Sequence, residues 1–172
     1  MIPLNFWFFC VFALPFWFYQ RRKSYRKNRG HIDPLREVIL NLFFVYGLGV
    51  AYFTFPDGFF PFAMKSFNFN VFVALMDLWH RPLIAVINIL GNVVLFIPLG
   101  IFIPLLDERF HSLVKMGLLG LGCSAGIEVI QYLSGSSRAA DIDDIILNTI
   151  GAAIGYGFFA LAKSLNKPRP AP

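Results

Sequence analysis

Five stretches of this chain are long and apolar enough to span a hydrocarbon core, and they decide what it can fold into. They run from Ile2 to Tyr19, Leu35 to Phe55, Leu83 to Leu106, Leu113 to Leu133 and Ile145 to Leu165. A helix needs about 20 apolar residues to cross a bilayer. The expected fold class is therefore all-α, a polytopic transmembrane bundle of five helices. Composition agrees. Of 172 residues 57% are hydrophobic and only 15% charged, with a mean hydropathy of +0.63, whereas soluble domains carry about 25% charged residues. The five spans consume most of the length and leave no room for a separate soluble domain.

Charge placement sets the expected topology. The first apolar segment has no basic residues ahead of it and ends in Arg21-Arg22-Lys23, with no small-residue cleavage site behind it. This is the pattern of a retained helix rather than a secretory signal. If its N-terminus is outside, Arg21, Arg22, Lys23, Arg26, Lys27, Arg29, Arg36, Arg109, Lys115, Lys163, Lys167 and Arg169 fall in the cytoplasm, and only Lys65, Arg81 and Arg138 stay out. The positive-inside rule strongly favours that arrangement, N-terminus outside and C-terminus in the cytoplasm. Basic residues that flank apolar segments are topology signals, so nucleic acid is not an expected partner. The expected organisation is an N-terminal helix (1–20), a basic cytoplasmic loop (21–34), a four-helix membrane domain (35–165) and a disordered tail (166–172).

Smaller features refine the bundle. The outer loop 56–81 holds Phe59, Phe60, Phe62, Phe67, Phe69 and Phe72, which suits an anchor at the membrane interface or a lid over an outward-facing site. Pro98 and Pro104 lie inside the third apolar segment and would kink it in its inner half. The glycines between 117 and 126, and the Gly151-x-x-x-Gly155 pair, permit close helix packing. Cys10 and Cys123 sit in apolar runs, where a thiol behaves as a small hydrophobe.

The polar residues within these segments are not scattered. Asn88 and Asn92 are four apart, Ser124, Glu128 and Gln131 follow a helical stripe, and so do Asp144, Asn148, Gly151 and Gly155. A short loop with Arg138, Asp141 and Asp143 joins the last two segments. The expected topology places all these stripes at the outer ends of their helices, around one outward-facing cavity. Each residue has a plainer role. An aspartate caps a helix, asparagines bind helices together, and Arg138 neutralises carboxylates. Glu128 resists such a reading. A carboxylate at helix centre costs about 2.5–3.5 kcal/mol to insert, so it must be paired, protonated or in contact with water.

The same residues carry a family resemblance. Asn88-x-x-x-Asn92 ahead of Phe96-Ile97-Pro98-Leu99-Gly100, then Glu128-x-x-Gln131, then Arg138-x-x-Asp141-x-Asp143-Asp144-x-x-x-Asn148-x-x-Gly151, resembles the VanZ-like family of bacterial membrane proteins. The resemblance covers about residues 36–162. It implies a multi-pass protein of the bacterial cytoplasmic membrane. The family's namesake is linked to resistance to teicoplanin, a lipid-tailed glycopeptide that targets cell-wall precursors.

Three functions compete for the polar residues. The first is binding of a cell-envelope lipid, a lipid-linked cell-wall precursor or a lipoglycopeptide headgroup by Arg81, Asn88, Asn92, Glu128, Gln131, Arg138, Asp141, Asp143, Asp144 and Asn148, with arginines on a phosphate or carboxylate. The second is a membrane enzyme acting on a lipid-linked phosphate or cell-wall precursor. Glu128 or Asp144 would serve as acid or base, or Asp141, Asp143 and Asp144 would hold Mg²⁺ or Mn²⁺. The third is proton-coupled transport through Glu128, which five helices without a repeat make harder to build. The topology is directly testable. A fluorescent reporter fused at the C-terminus is expected to light up in the cytoplasm, and alkaline phosphatase inserted in 56–81 to be active outside; the reverse pattern would overturn the assignment.

Overall fold

The computed structural model describes residues 4–27, 31, 33–54, 67–68, 73–134 and 140–166. The described helices are α1 (Leu4–Lys27), α2 (Pro34–Thr54), α3 (Val73–His80), α4 (Pro82–Leu106), α5 (Leu113–Ser134) and α6 (Ile142–Leu165). A 3-10 turn, Glu108–Phe110, follows α4, and two-residue strands β1 (Phe67–Asn68) and β2 (Ala140–Asp141) form one short sheet. Four described helices are long and apolar enough to cross a membrane: α2, α4, α5 and α6. The protein is an all-α, multi-pass membrane protein.

Among the described residues, the helix α1 is not one of those four. Its apolar part gives way to Gln20 and a run of cations that stays helical to Lys27. Residues 21–27, expected in the basic loop, are helical, as suits Arg and Lys, which are good helix formers, in a stretch with no glycine before Gly30. The outer loop contains α3, whose Leu75, Met76 and Trp79 are exposed. Its phenylalanines at 59, 60, 62, 69 and 72 lie outside the described residues, as does the tail from 167.

The chain forms two compact units. In the first, built from residues 1–66 and 130–140, α1 lies beside α2. The Trp17 indole stacks on Phe44 at 4.5 Å between ring centroids and donates to Asn41 Oδ1 at 3.1 Å. Asn41 Nδ2 donates back to the Glu37 carbonyl at 2.9 Å, which orients the amide towards the indole.

The second unit holds 67–129 and 141–172, and its central contact is α4 against α6. The two run parallel. Gly151 faces the Val93 carbonyl, Gly155 the Ile97 carbonyl, and Gly100 the backbone of Ala152 and Tyr156. At each of the three, an added Cβ would collide with main-chain atoms of the neighbour. Small residues at such a crossing let backbones approach and gain dispersion energy where lipid offers no hydrophobic drive. Among the described residues, an added Cβ at Gly120 of α5 would meet Ala152, whereas one at Gly117, Gly122 or Gly126 would have nothing within 4 Å. Phe96 and Leu99 of α4, Met116 of α5 and Ala152 of α6 are buried.

Pro82 opens α4 as its first helical residue. At the far end, His111 Nε2 lies 2.9 Å from the Pro104 carbonyl and Nδ1 lies 2.9 Å from Lys163 Nζ. A carbonyl only accepts, so Nε2 carries the proton and Nδ1 accepts from the ammonium. That ring ties the end of α4 to the end of α6. Gly155→Leu is expected to cost about 3 kcal/mol or abolish folding, since backbone cannot move aside. Gly157→Leu, at a position with nothing within 4 Å, is expected to melt like the wild type in detergent. Equal melting temperatures for the two variants would contradict the packing described.

Candidate binding site

The polar cluster is built at the start of α6. Asp141 takes an extended conformation (φ −130°, ψ 131°) and its Oδ1 accepts from the Asp143 N–H at 3.0 Å. This is an N-cap, satisfying one of the helix's free first-turn donors. Glu128, only 2% exposed, reaches from α5 so that its Oε2 accepts from the Asp141 N–H at 2.8 Å. A carboxylate costly to bury is thereby spent on the backbone of the residue that begins the next helix. The positive end of the α6 dipole, roughly half a charge, lies at the same place and favours the acids gathered there.

One turn into α6, Asp144 accepts a hydrogen bond from Asn92 Nδ2 of α4. One turn further, Asn148 Nδ2 donates to Ser124 Oγ of α5 at 2.9 Å. Ser124 and Asn148 are buried, at 0% and 4% exposure, and among the described residues Asn148 Oδ1 has no partner. The result is a ladder between α4, α5 and α6 in which one deep acceptor stays open. An unmet acceptor in such surroundings costs about 1–3 kcal/mol, and it can be met by a hydroxyl or N–H donor.

The other candidate residues are placed as follows. Gln131 is 3% exposed and donates from Nε2 to the Thr54 carbonyl at 3.0 Å, within the first unit. Asn88 is exposed, although it is one turn from Asn92. The α4–α6 register of 93 to 151 and 97 to 155 puts it level with residue 146, and it stands outside the ladder. Arg81 is exposed just before α4, with its side chain making no cap. Arg138 lies outside the described residues. Asp143 is 5% exposed beside the cap. Among the described residues no three His, Cys, Asp or Glu side chains converge as a metal site requires. Of the acids considered for an ion site, Asp141 caps the helix and Asp144 accepts from Asn92. Ser124, noticed in the sequence only as part of a stripe, is a working member of the ladder.

A multi-pass helical membrane protein with a partly buried Asn/Ser/Glu/Asp ladder at one end of three helices is the class this structure defines. The chain belongs to the VanZ/LLP1 family, whose model matches residues 6–163. It is similar to "Protein VanZ" of Enterococcus faecium, at 30% identity over 83 residues, covering 48% of this chain and 50% of the relative. The match spans about half of that relative's length. No solved structure matches.

The Glu128 contact makes a sharp prediction. Glu128→Gln keeps an oxygen that can accept from the Asp141 N–H, whereas Glu128→Ala strands that donor. The alanine variant is expected to be less stable than the glutamine variant by about 1–3 kcal/mol, read from thermal melts in detergent. An alanine variant as stable as wild type would show that the contact holds nothing.

Proposed function

We propose that this protein is a bacterial cytoplasmic-membrane protein whose α4–α5–α6 ladder receives the polar headgroup of a cell-envelope amphiphile. That amphiphile is a lipid-linked cell-wall precursor or a lipid-tailed glycopeptide. The observation that carries the reading is the open Asn148 Oδ1. It lies about 9 Å below the start of α6, at 1.5 Å per residue, buried and unpaired beside hydrogen-bonded neighbours. Native interiors leave few such groups, and hydroxyl- or amide-rich headgroups supply the missing donor. The positive-inside arrangement puts this end of the helices on the outer side, where such precursors and glycopeptides are found. The similarity to VanZ supports an antibiotic-response setting.

Binding is favoured over catalysis by the use made of the acids. Glu128 is committed to the Asp141 N–H and Asp144 to Asn92, so both act as anchors of the ladder. Expression of the wild type in a susceptible bacterium is expected to raise the inhibitory concentration of teicoplanin at least fourfold. That of a glycopeptide without a lipid tail should not move. Asn148→Leu, present in the membrane at the wild-type level, should lose the protection. Unchanged susceptibility with the wild type, or full protection by Asn148→Leu, would defeat the proposal.

A further inference from the structure

A second polar site lies in the other unit, where α1 and α2 meet. A cavity of about 570 Å³ opens between the last turns of α1 and the first turns of α2. Its walls include Arg21, Arg22 and Tyr25 from α1, and Arg36 and Glu37 from α2. A smaller one of about 330 Å³, bounded by Tyr19, Arg22, Lys23 and Arg26, shares Arg22 with it.

The acids in the larger cavity are already engaged. Glu37 pairs with Arg21, and Asp33 Oδ1 accepts from the Leu35 N–H at 3.0 Å, capping α2. Among the described residues Arg22 and Arg36 are in no ion pair. Arg21 also sits over the Trp17 ring, 5.7 Å from the guanidinium carbon, and among the described residues its Nε is buried without a hydrogen-bond partner. The cavity therefore presents two uncommitted guanidinium groups and one unmet N–H donor. That combination calls for an oxyanion with several acceptor oxygens, and arginine forks match phosphate geometry.

The walls also have a direction. Phe18 and Leu40 line the same cavity. Trp17, Phe18 and Tyr19 come just before the cations in the chain, the order of an aromatic belt followed by the headgroup layer. A free phosphate would not use the apolar wall, whereas a phospholipid would. We propose that this α1–α2 cavity binds the headgroup phosphate of an anionic phospholipid, with Arg22 and Arg36 as the charge-bearing contacts and Arg21 Nε as an added donor. The site is independent of the α4–α5–α6 ladder. The positive-inside rule assigns it to the cytoplasmic leaflet.

The test uses the full chain reconstituted in phosphatidylcholine vesicles containing spin-labelled phosphatidylglycerol or spin-labelled phosphatidylcholine. Electron paramagnetic resonance then gives the relative association of each label at 0.15 M salt, about the physiological ionic strength. Wild type is expected to prefer the anionic label. Arg22→Gln/Arg36→Gln should lower that preference about fivefold for each cation removed. Lys27→Gln/Lys115→Gln removes the same charge from exposed positions that line neither cavity and should retain the preference. An equal fall in both double variants, or no preference in the wild type, would overturn the site. Calorimetry with inorganic phosphate on the detergent-solubilised chain separates the two sources of phosphate. Phosphate binding lost in Arg22→Gln/Arg36→Gln, without any lipid preference, would assign these cations to a soluble anion and overturn the lipid.

Discussion

The backbone contact of α4 with α6 is the constraint on which the candidate site depends. Lipid gives two apolar helices no hydrophobic reason to associate, so their pairing must come from close packing and hydrogen bonds. Gly100, Gly151 and Gly155 supply the close packing. Once the two backbones are in contact, Asn92 reaches Asp144. Ser124 and Glu128 of α5 then meet Asn148 and the Asp141 N–H. The hydrogen bonds are worth more here than in water, because each would otherwise leave a polar group unmet in an apolar medium. Glycine contacts and polar ladder therefore support one another. Loosening the first lengthens every bond in the second.

That coupling explains how a buried carboxylate is tolerated. Glu128 lies at the start of α6 and accepts from a main-chain N–H there, so its buried oxygen is met by a backbone donor. The same acid fixes where α6 begins, because the residue it holds is the N-cap. Structure and chemistry at this point are one arrangement: the group that makes the site polar also makes the helix start. The open Asn148 oxygen is the exception within a ladder otherwise joined across three helices.

Much of this was legible in the sequence. Hydropathy located α2, α4, α5 and α6 to within a few residues, because the bilayer imposes length and polarity on any span. The stripes Ser124/Glu128 and Asp144/Asn148 were visible from helical spacing alone, and the Gly-x-x-x-Gly at 151 and 155 announced a tight crossing. What spacing does not carry is the identity of the facing helix. Asn88 and Asn92 are equivalent by periodicity, yet only Asn92 meets α6, since the difference lies in the register of a neighbour 52 residues away. The glycines at 117, 122 and 126 looked as suited to packing as Gly120, and the structure uses only one of them. The helical run through Arg21 to Lys27 was hidden because cations mark the edge of a membrane span without marking the end of a helix. The short α3 was hidden by the aromatic richness around it.

The most direct test of the ladder as a binding site is native mass spectrometry of the detergent-purified protein, wild type beside Asn148→Leu and Glu128→Gln. An amphiphile is expected to remain on the wild type and on Glu128→Gln, which keeps the Asp141 contact, after detergent is stripped, and to be absent from Asn148→Leu. A wild type with no retained amphiphile, or an Asn148→Leu variant that carries the same one, would mean that the ladder only holds the helices together.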